Sequence, residues 1–311
     1  MEKEQIPIIN EQLEQEKNNL EQKTIEIVKE KTREILAELP ELHGWDHTVL
    51  VAHYAKLLAI GEEKNTFHAE MASWTHDWGR AFEKDDIEKR PHAKLSGLAS
   101  KDFYRLLYEE GKIDAFQYGD IQRAIRRHSG RAETNRDTLR ITRDADKLSR
   151  FDPLGFYHDL LGCLKEEKLP LYAVGQPIIR SADAPIMEWP EVKCVIDGLN
   201  FCLDFEKMAE TNSAKKLFEK LNATYKSFLN LFSRHSDLLD GELWTAFSKK
   251  YADEFKKSME EFNNSFAWTG TKKDFEKWLE FYEQTVPSDI YSEQKFEQFY
   301  KNYQNNKLNE K

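Results

Sequence analysis

The chain has 311 residues, 40% of them hydrophobic and 33% charged, and a formal net charge of −10 at pH 7. This apolar content is enough for a core, which excludes wholesale disorder, and the negative charge argues against binding along an extended nucleic acid. The polar N-terminus lacks an apolar signal segment and no stretch approaches ~18 apolar residues, so we expect a cytoplasmic protein without a membrane partner. Three cysteines without CxxC spacing fit free thiols in a reducing compartment.

Most of the chain is predicted to be helical, because glycine and proline are scarce and apolar residues recur at steps of three and four. No stretch alternates with the period of two that a half-buried strand requires. In the first half of the chain, the predicted helices cover 8–38, 45–60, 66–80, a segment after Pro91, 115–128, and the segment around Ala145.

The segment 168–190 interrupts the helical pattern, since it holds four of the nine prolines. Long ordered loops of this kind are often lids or binding loops, and a plain surface excursion is the alternative. Beyond it, an aromatic stripe at steps of three and four residues follows Trp244 as far as Phe266. We interpret this stripe as core packing in a further helical unit rather than as a ligand site.

His76 and Asp77 are adjacent and are predicted to lie midway along the helix 66–80. A buried His next to a buried Asp is costly unless both have partners. Neighbouring positions on a helix point about 100° apart, so both side chains can reach one ion only if it lies against that edge of the helix.

Further histidines and an aspartate are predicted on the inner faces of other helices. His47 begins the second helix, His92 opens the fourth, His128 ends the apolar stripe of 115–128, and Asp146 lies beside Ala145. Such a distribution suits a metal site built between the helices of a bundle. His43 and His47 have HxxxH spacing but lack the glutamate of HExxH, and Walker, GxGxxG and GxSxG motifs are absent.

The order His, His-Asp, Asp resembles the HD superfamily of metal-dependent phosphohydrolases, with 29 residues from His47 to His76 and 69 from Asp77 to Asp146. The flanking sequences GWDHTVLV, THDWGR, AIRRHSG and RDADKLSRFDPLG strengthen the resemblance. It is greatest to the YpgQ/YedJ-like bacterial branch, whose described activity is nucleoside-triphosphate pyrophosphohydrolysis. It spans residues 40–235 and includes a T-x-x-A-K segment that begins at Thr211.

The resemblance implies an all-α fold, an HD-domain helical bundle with an additional C-terminal helical extension. We therefore predict an N-terminal helix (1–39), an HD phosphohydrolase domain (40–235) and a C-terminal helical extension (236–311).

Matched residue by residue, the resemblance implies that His47, His76, Asp77 and Asp146 are metal ligands, with Asp77 and His76 as the catalytic pair. Asp144 would support a neighbouring ligand or basic residue. The sequence departs from the branch at Ser149, where the branch often has Asp, and this bears on the substrate rather than the metal.

Two further histidines fit either of two roles. Superfamily members with two metals show the order H…HD…H…H…D, and His92 and His128 can be read in that way. Alternatively, both contact substrate phosphate or an ordered water.

Mixed His and carboxylate ligands suit a hard divalent cation, Mn²⁺ or Mg²⁺, with iron as the alternative. Such a metal would activate water and polarise a phosphoryl oxygen, with Asp77 a partner for the water's proton. Asp46 is expected to support His47 from outside the ligand shell.

Residues 120–150 hold nine Lys or Arg and five Asp or Glu, a local net charge of +4. Such a run is commonly a solvated helix face, and it indicates an anion site only beside one. The cations expected to bind substrate phosphate are Arg80, Lys94, Arg127, Arg131 and Lys147.

The predicted function is metal-dependent phosphohydrolysis of a small phosphorylated substrate, a nucleotide phosphoanhydride or phosphoester. The alternatives are a di-iron oxygenase on the HD fold and a catalytically silent nucleotide-binding module. Cyclic-dinucleotide hydrolysis is disfavoured by the Ser-Gly-Arg that follows His128. The sequence leaves the base, the cleaved bond, and the choice between a monomer and a homo-oligomer open.

Overall fold

The computed structural model describes residues 5–39, 43–130, 133–158, 209–235, 241–286 and 289–309. Every regular element within these ranges is a helix, which confirms the all-α prediction. None of the helices described there is both long and apolar enough to cross a membrane. The proline-rich segment 168–190 and the three cysteines lie outside the described residues.

The chain separates into two compact units. The first comprises residues 1–39, 43–59 and 64–145, and the second comprises residues 40–42, 60–63 and 146–311. The helix 137–148 continues without a break across the last boundary. The domain boundaries at residues 40 and 236 remain predictions.

The helices up to residue 148 are, in chain order, α1 (Gln5–Leu36), α2 (Trp45–Gly61), α3 (Thr66–Thr75), the 3-10 helix Trp78–Phe82, α4 (His92–Ala99), α5 (Lys101–Glu109), α6 (Ala115–Arg127) and α7 (Asp137–Leu148). Local sequence accounts for several of their ends. Asn65 caps α3 by accepting the His68 N–H at 2.9 Å. Asp114 and Gln117 form a reciprocal capping box at the start of α6, which satisfies backbone N–H groups that a helix start leaves unpaired.

The core of the first unit lies where α3 packs against α1 and α6, and where α4 packs against α6 and the 3-10 helix. Apolar side chains from these helices fill it, including Met71, Ile121 and Ile125. The indole rings of Trp45 and Trp74 stack at 5.3 Å, and the Arg33 guanidinium lies 4.4 Å from the centre of the Trp45 ring. The N-terminal helix thus belongs to the same core as α3.

The predicted helix 66–80 is wrong in one respect, because it ends at Thr75 instead of running through the His-Asp pair. His76 caps its C-terminus, and Asp77 leaves helical geometry with φ −107° and ψ 11°. The cause is a close approach to α4. The Gly79 N–H donates to Ser96 Oγ at 2.8 Å, and a Cβ at Gly79 would lie 2.4 Å from the backbone oxygen of His92.

The second unit contains α8 (Asn212–Arg234), α9 (Gly241–Ser265), α10 (Lys272–Thr285) and α11 (Glu293–Asn309). Its core is aromatic. Trp244 stacks on Phe296 at 4.8 Å, and Phe247 contacts both Tyr251 and Tyr291. The first five members of the predicted stripe, Trp244 to Met259, are buried, so the aromatic pattern is packing, as predicted.

Candidate metal centre

The carboxylate of Asp77 is surrounded by the side chains of five histidines and one arginine. Asp77 is 3% exposed. The nitrogens nearest its Oδ2 are His43 Nδ1 at 3.5 Å, His76 Nε2 at 3.6 Å and His47 Nε2 at 3.9 Å. The nitrogens nearest its Oδ1 are Arg80 Nε at 3.6 Å, His92 Nε2 at 3.7 Å and His128 Nε2 at 3.7 Å.

Each cluster residue comes from a different place in the first unit. His47 lies in the first turn of α2, His76 caps the end of α3, and Asp77 follows it at the break. His92 is the first residue of α4, and His128 caps the end of α6. These helix ends therefore converge on one point in the first unit.

The spacing of these atoms fits a shared cation. In a shell with ligand bonds of ~2.1 Å, neighbouring ligand atoms lie ~3.0–3.4 Å apart. The separations around Asp77, 3.5 to 3.9 Å, are slightly larger than this. They also exceed the ordinary range of a hydrogen bond. Two groups of possible ligands share Asp77, one with His43 and His47 and the other with His92 and His128.

Backbone carbonyls orient two of the imidazoles. Nδ1 of His76 lies 2.6 Å from the Ser73 oxygen, and Nδ1 of His128 lies 2.8 Å from the Ile125 oxygen. A carbonyl only accepts, so both Nδ1 atoms carry the hydrogen and both Nε2 atoms present a lone pair in the neutral ring. Metal-binding histidines are commonly held in this way.

The Nε2 atoms of His92 and His128 lie only 3.0 Å apart. Since the His128 Nε2 is an acceptor, this contact needs a hydrogen on the His92 Nε2 or a cation that both nitrogens bind. The separation equals that of neighbouring ligands in an octahedral shell with bonds of ~2.1 Å. These two residues thus fit the metal-binding role that the sequence left open.

The buried Oδ1 of Asp77 accepts no hydrogen bond from any described residue, although buried carboxylate oxygens normally have a partner. Burial by itself would raise the pKa of Asp77, but the electrostatic effect of the nearby His76 and Arg80 and a contact from His43 hold that pKa well below its usual range. The group is therefore a carboxylate at neutral pH. A buried anion with an unfilled oxygen, faced by imidazole lone pairs, fits a bound cation.

Asp146 lies in the last turn of α7, one residue beyond Ala145 on the same continuous helix. Asp146 is the first residue of the second unit's segment 146–311, so its place among the metal ligands stays a prediction. The Ser149 hydroxyl donates to the Asp146 carbonyl at 2.7 Å, so the residue that departs from the branch pattern contacts backbone. Asp144 is fully buried.

The predicted phosphate-binding cations differ in their positions. Arg80 Nε lies 3.6 Å from Asp77 Oδ1, and Arg80 Nη1 lies 3.2 Å from Glu83 Oε1. Lys94 is exposed in the first turn of α4, and Lys147 is half-buried on α7. Arg127 is exposed and lines a separate cavity. Arg131 lies outside the described residues.

His43 is a member of the cluster that the sequence interpretation missed. It is one helical turn before His47, and the two rings meet edge to face at 6.0 Å. The HxxxH spacing of His43 and His47 is the signal for it in the sequence. The absence of the HExxH glutamate excludes a zinc-protease motif but not a ligand role for His43.

Comparison with known proteins agrees with this geometry. Residues 44–150, about a third of the chain, match the model of the HD domain family. A solved structure described as a predicted HD superfamily hydrolase, from an uncultured Thermotogales bacterium, is 18% identical. The match covers 68% of this chain and 91% of that one with a TM-score of 0.44, which is too weak to define fold or activity. No curated protein matches significantly. Residues 44–150 thus resemble an HD domain, and together with the His and Asp cluster this resemblance supports a metal-dependent hydrolase.

Proposed function

We propose that the chain hydrolyses a phosphoanhydride or phosphoester bond of a nucleotide, as a nucleoside-triphosphate pyrophosphohydrolase does. The observation that carries the proposal is the Asp77 carboxylate, buried and surrounded by five imidazoles and one guanidinium within 3.9 Å. The residues of this cluster from His47 to His128 lie within the segment that matches the HD domain family, and the sequence resemblance to HD phosphohydrolases implies the phosphorylated substrate. The nucleotide rests on the sequence resemblance.

In this proposal, His47, His76, Asp77 and Asp146 hold one divalent cation, Mn²⁺ or Mg²⁺. Asp77, His92 and His128 form the second group, on the other oxygen of the same carboxylate. Oxygen and imidazole ligands suit these metals. A cation held here supplies Lewis-acid activation of water and of a phosphoryl oxygen.

The chain's own groups supply charge and proton transfer. Asp77 remains anionic because its pKa is held well below the usual range against the effect of burial, and in the proposal its carboxylate is the partner for the proton of the activated water. His76 is held in one tautomer by the Ser73 carbonyl. Arg80, with Nε 3.6 Å from Asp77 Oδ1, is the guanidinium placed to contact a phosphate beside the cluster, where planar donors suit bidentate binding.

The test is a panel of nucleoside mono-, di- and triphosphates supplied with Mn²⁺ or Mg²⁺, with phosphate and pyrophosphate release measured separately. We expect turnover of at least one nucleotide, and a fall of about 10³-fold or more in Asp77→Asn. Such losses are typical when a group that stabilises the transition state is removed. Asp102→Asn is the matched control, because the Asp102 side chain is 77% exposed on α5.

Metal analysis of the purified protein gives a readout independent of turnover. We expect Mn or Mg in the wild type and a reduced content in Asp77→Asn, with Asp102→Asn unchanged. Undiminished hydrolysis in Asp77→Asn would refute the proposal. Stoichiometric iron without nucleotide hydrolysis would instead favour the oxygenase alternative, and tight nucleotide binding without turnover would favour the silent binding module.

A further inference from the structure

A cavity of about 730 Å³, open to solvent, lies on the surface of the first unit. Its lining residues come from α6 and from the segment that leads into α7, and they are Arg123, Arg127, Glu133, Thr134, Asn135 and Arg136. We call it the arginine groove. Its volume is within the range of small-molecule sites, about 300–1,000 Å³.

The charge of the arginine groove is unusual for this acidic chain. Three guanidiniums face one carboxylate, that of Glu133, and none of the three lies within ion-pair distance of a carboxylate in the described ranges. Arginines elsewhere do have such partners, as Arg90 has in Asp86 and Arg105 in Asp102 at 3.4 Å. Three positive charges beside one negative charge leave a local positive excess, which attracts an anion.

Helix α6 and the turn before α7 position the hydrogen-bond donors of the arginine groove. Arg123 and Arg127 are four residues apart, so they lie on the same face of α6. The Arg136 N–H donates to Thr134 Oγ1 at 3.2 Å, a contact within the turn before α7 that does not use the hydrogen of the Thr134 hydroxyl. The Asn135 amide adds further donors. Guanidiniums, a hydroxyl and an amide are the groups that bind phosphate oxygens.

The arginine groove is separate from the metal centre. None of the candidate metal ligands lines it. His128 follows Arg127 directly, but successive helical positions point about 100° apart, and His128 is buried whereas Arg127 is exposed. Arg143, buried on α7, donates to the Arg127 carbonyl from Nε at 3.3 Å and from Nη2 at 3.2 Å. These two hydrogen bonds hold the backbone of Arg127, which lies between the arginine groove and His128 of the Asp77 cluster.

We propose that the arginine groove is a second anion site, which binds the phosphate chain of a di- or triphosphate outside the metal centre. In this proposal, Arg123 and Arg127 contact the bound phosphates from α6. Arg136 contacts them from the segment before α7. The sequence predicts that Arg127 binds phosphate, and the proposal retains that role. It adds Arg123 and Arg136, which line the same groove. The site needs no metal, so it does not depend on the proposed function.

Isothermal titration of the full-length protein with inorganic tripolyphosphate, in chelator, tests the site without hydrolysis. We expect one binding event that weakens as salt rises. Its dissociation constant should rise at least tenfold in the double variant Arg123→Gln/Arg136→Gln. Arg105→Gln, an exposed arginine on α5, is the matched control and should bind as the wild type does. Since the substituted side chains are exposed, circular dichroism should show the variants folded.

Further arms identify the location and the source of the phosphate chain. Asp77→Asn should retain binding, because Asp77 is not in the groove. Equal affinity for tripolyphosphate and ATP would show recognition of the phosphates alone, and tighter ATP binding would add the nucleoside; both support the site. Loss of binding in Asp77→Asn but not in the double arginine variant would overturn the proposal, as would binding of adenosine but not of tripolyphosphate.

Discussion

At the scale of single residues, Gly79 determines where the chain turns after the His-Asp pair. Its N–H is bonded to Ser96, and its α-carbon faces the backbone of α4 so closely that a side chain has no room. The same contact places His92, the first residue of α4, against Asp77. A glycine two residues after Asp77 therefore affects the candidate metal centre through packing.

Gly79→Ala is expected to destabilise the chain by about 1–3 kcal/mol, because the new Cβ would lie 2.4 Å from backbone atoms of α4. Bound metal should fall as His92 is displaced. Urea unfolding and metal analysis measure the two effects. Gly119→Ala is the control: its Cβ meets nothing within 4 Å, so it should stabilise α6 by about 0.5–1 kcal/mol. Equal stability of the two variants would contradict the packing explanation.

Asp120 is a residue whose effect depends on pH. It accepts from the Thr138 hydroxyl at 2.5 Å and lies 3.1 Å from His68 Nδ1, which ties α6 to α3 and α7. Burial opposes its charge, yet these hydrogen bonds and the charges of His68 and Arg136 hold the pKa of Asp120 below its usual value. A depressed carboxyl pKa stabilises the fold above the unfolded pKa, and that stability is lost as the pH falls through the folded pKa.

Asp120→Asn should therefore lower the free energy of unfolding by about 1–3 kcal/mol at neutral pH. The difference from wild type should shrink once the pH falls below about 3.9, the unfolded value for Asp. Urea unfolding from neutral pH to about pH 3 measures this, within the range of the carboxyl titration. Asp102→Asn, whose side chain is 77% exposed, should stay within about 0.5 kcal/mol throughout. If the difference in unfolding free energy between Asp120→Asn and wild type did not change with pH, the Asp120 carboxylate would not be its source.

At the scale of elements, α1 is joined to the HD domain by a buried hydrogen-bond relay. The Trp78 indole N–H donates to Thr32 Oγ1 at 3.0 Å. The Thr32 hydroxyl lies 2.8 Å from the Val28 oxygen and 3.1 Å from the Trp74 oxygen. The helix before the matched residues 44–150 thus contacts the segment on both sides of the His-Asp pair.

Thr32→Val keeps the shape of the side chain and leaves the buried Trp78 N–H without its acceptor. We expect a loss of about 1–3 kcal/mol in the free energy of unfolding, the usual result of an unsatisfied buried donor. Thr24→Val on the same helix is the control, because the Thr24 hydroxyl bonds only the Leu20 oxygen one turn away. Chemical denaturation followed by tryptophan fluorescence compares them, and similar losses in both would count against the relay.

At the scale of the whole molecule, we expect metal binding and folding to be coupled. The candidate ligands come from the ends of helices that are distant in sequence, so the unfolded chain has no preformed site. A cation that binds only the folded state stabilises it by about 2.7 kcal/mol at a concentration 100 times the dissociation constant.

The midpoint of thermal unfolding should therefore rise with Mn²⁺ concentration and return to its starting value on addition of chelator. Asp77→Ala should abolish the rise. His235→Ala should leave the rise unchanged, since His235 follows the last residue of α8 and pairs with Glu293. Scanning fluorimetry of the three proteins in a manganese series makes the comparison. A rise of equal size in Asp77→Ala would mean that the cation binds elsewhere.

Much of the fold could be predicted because helical periodicity is a local property. The sparse glycine and proline and the three- and four-residue steps indicated an all-α chain, and the aromatic stripe from Trp244 is buried as its spacing predicts. The residue types of the candidate site were also visible. His47, His76, Asp77, His92 and His128 each stood out as a polar group on an apolar helix face or helix end.

Other features depended on contacts that no local pattern contains. The break at Asp77 follows from Gly79 meeting Ser96, 17 residues away. His43 joins the cluster only because the end of α3 comes beside it, and Arg127 shares a cavity with Arg136 rather than with Asp77. The sequence by itself determined the helical class and the residue types of the candidate metal ligands, since both follow from residue type and spacing. Tertiary structure decided which side chains meet, because that depends on how distant helix ends pack.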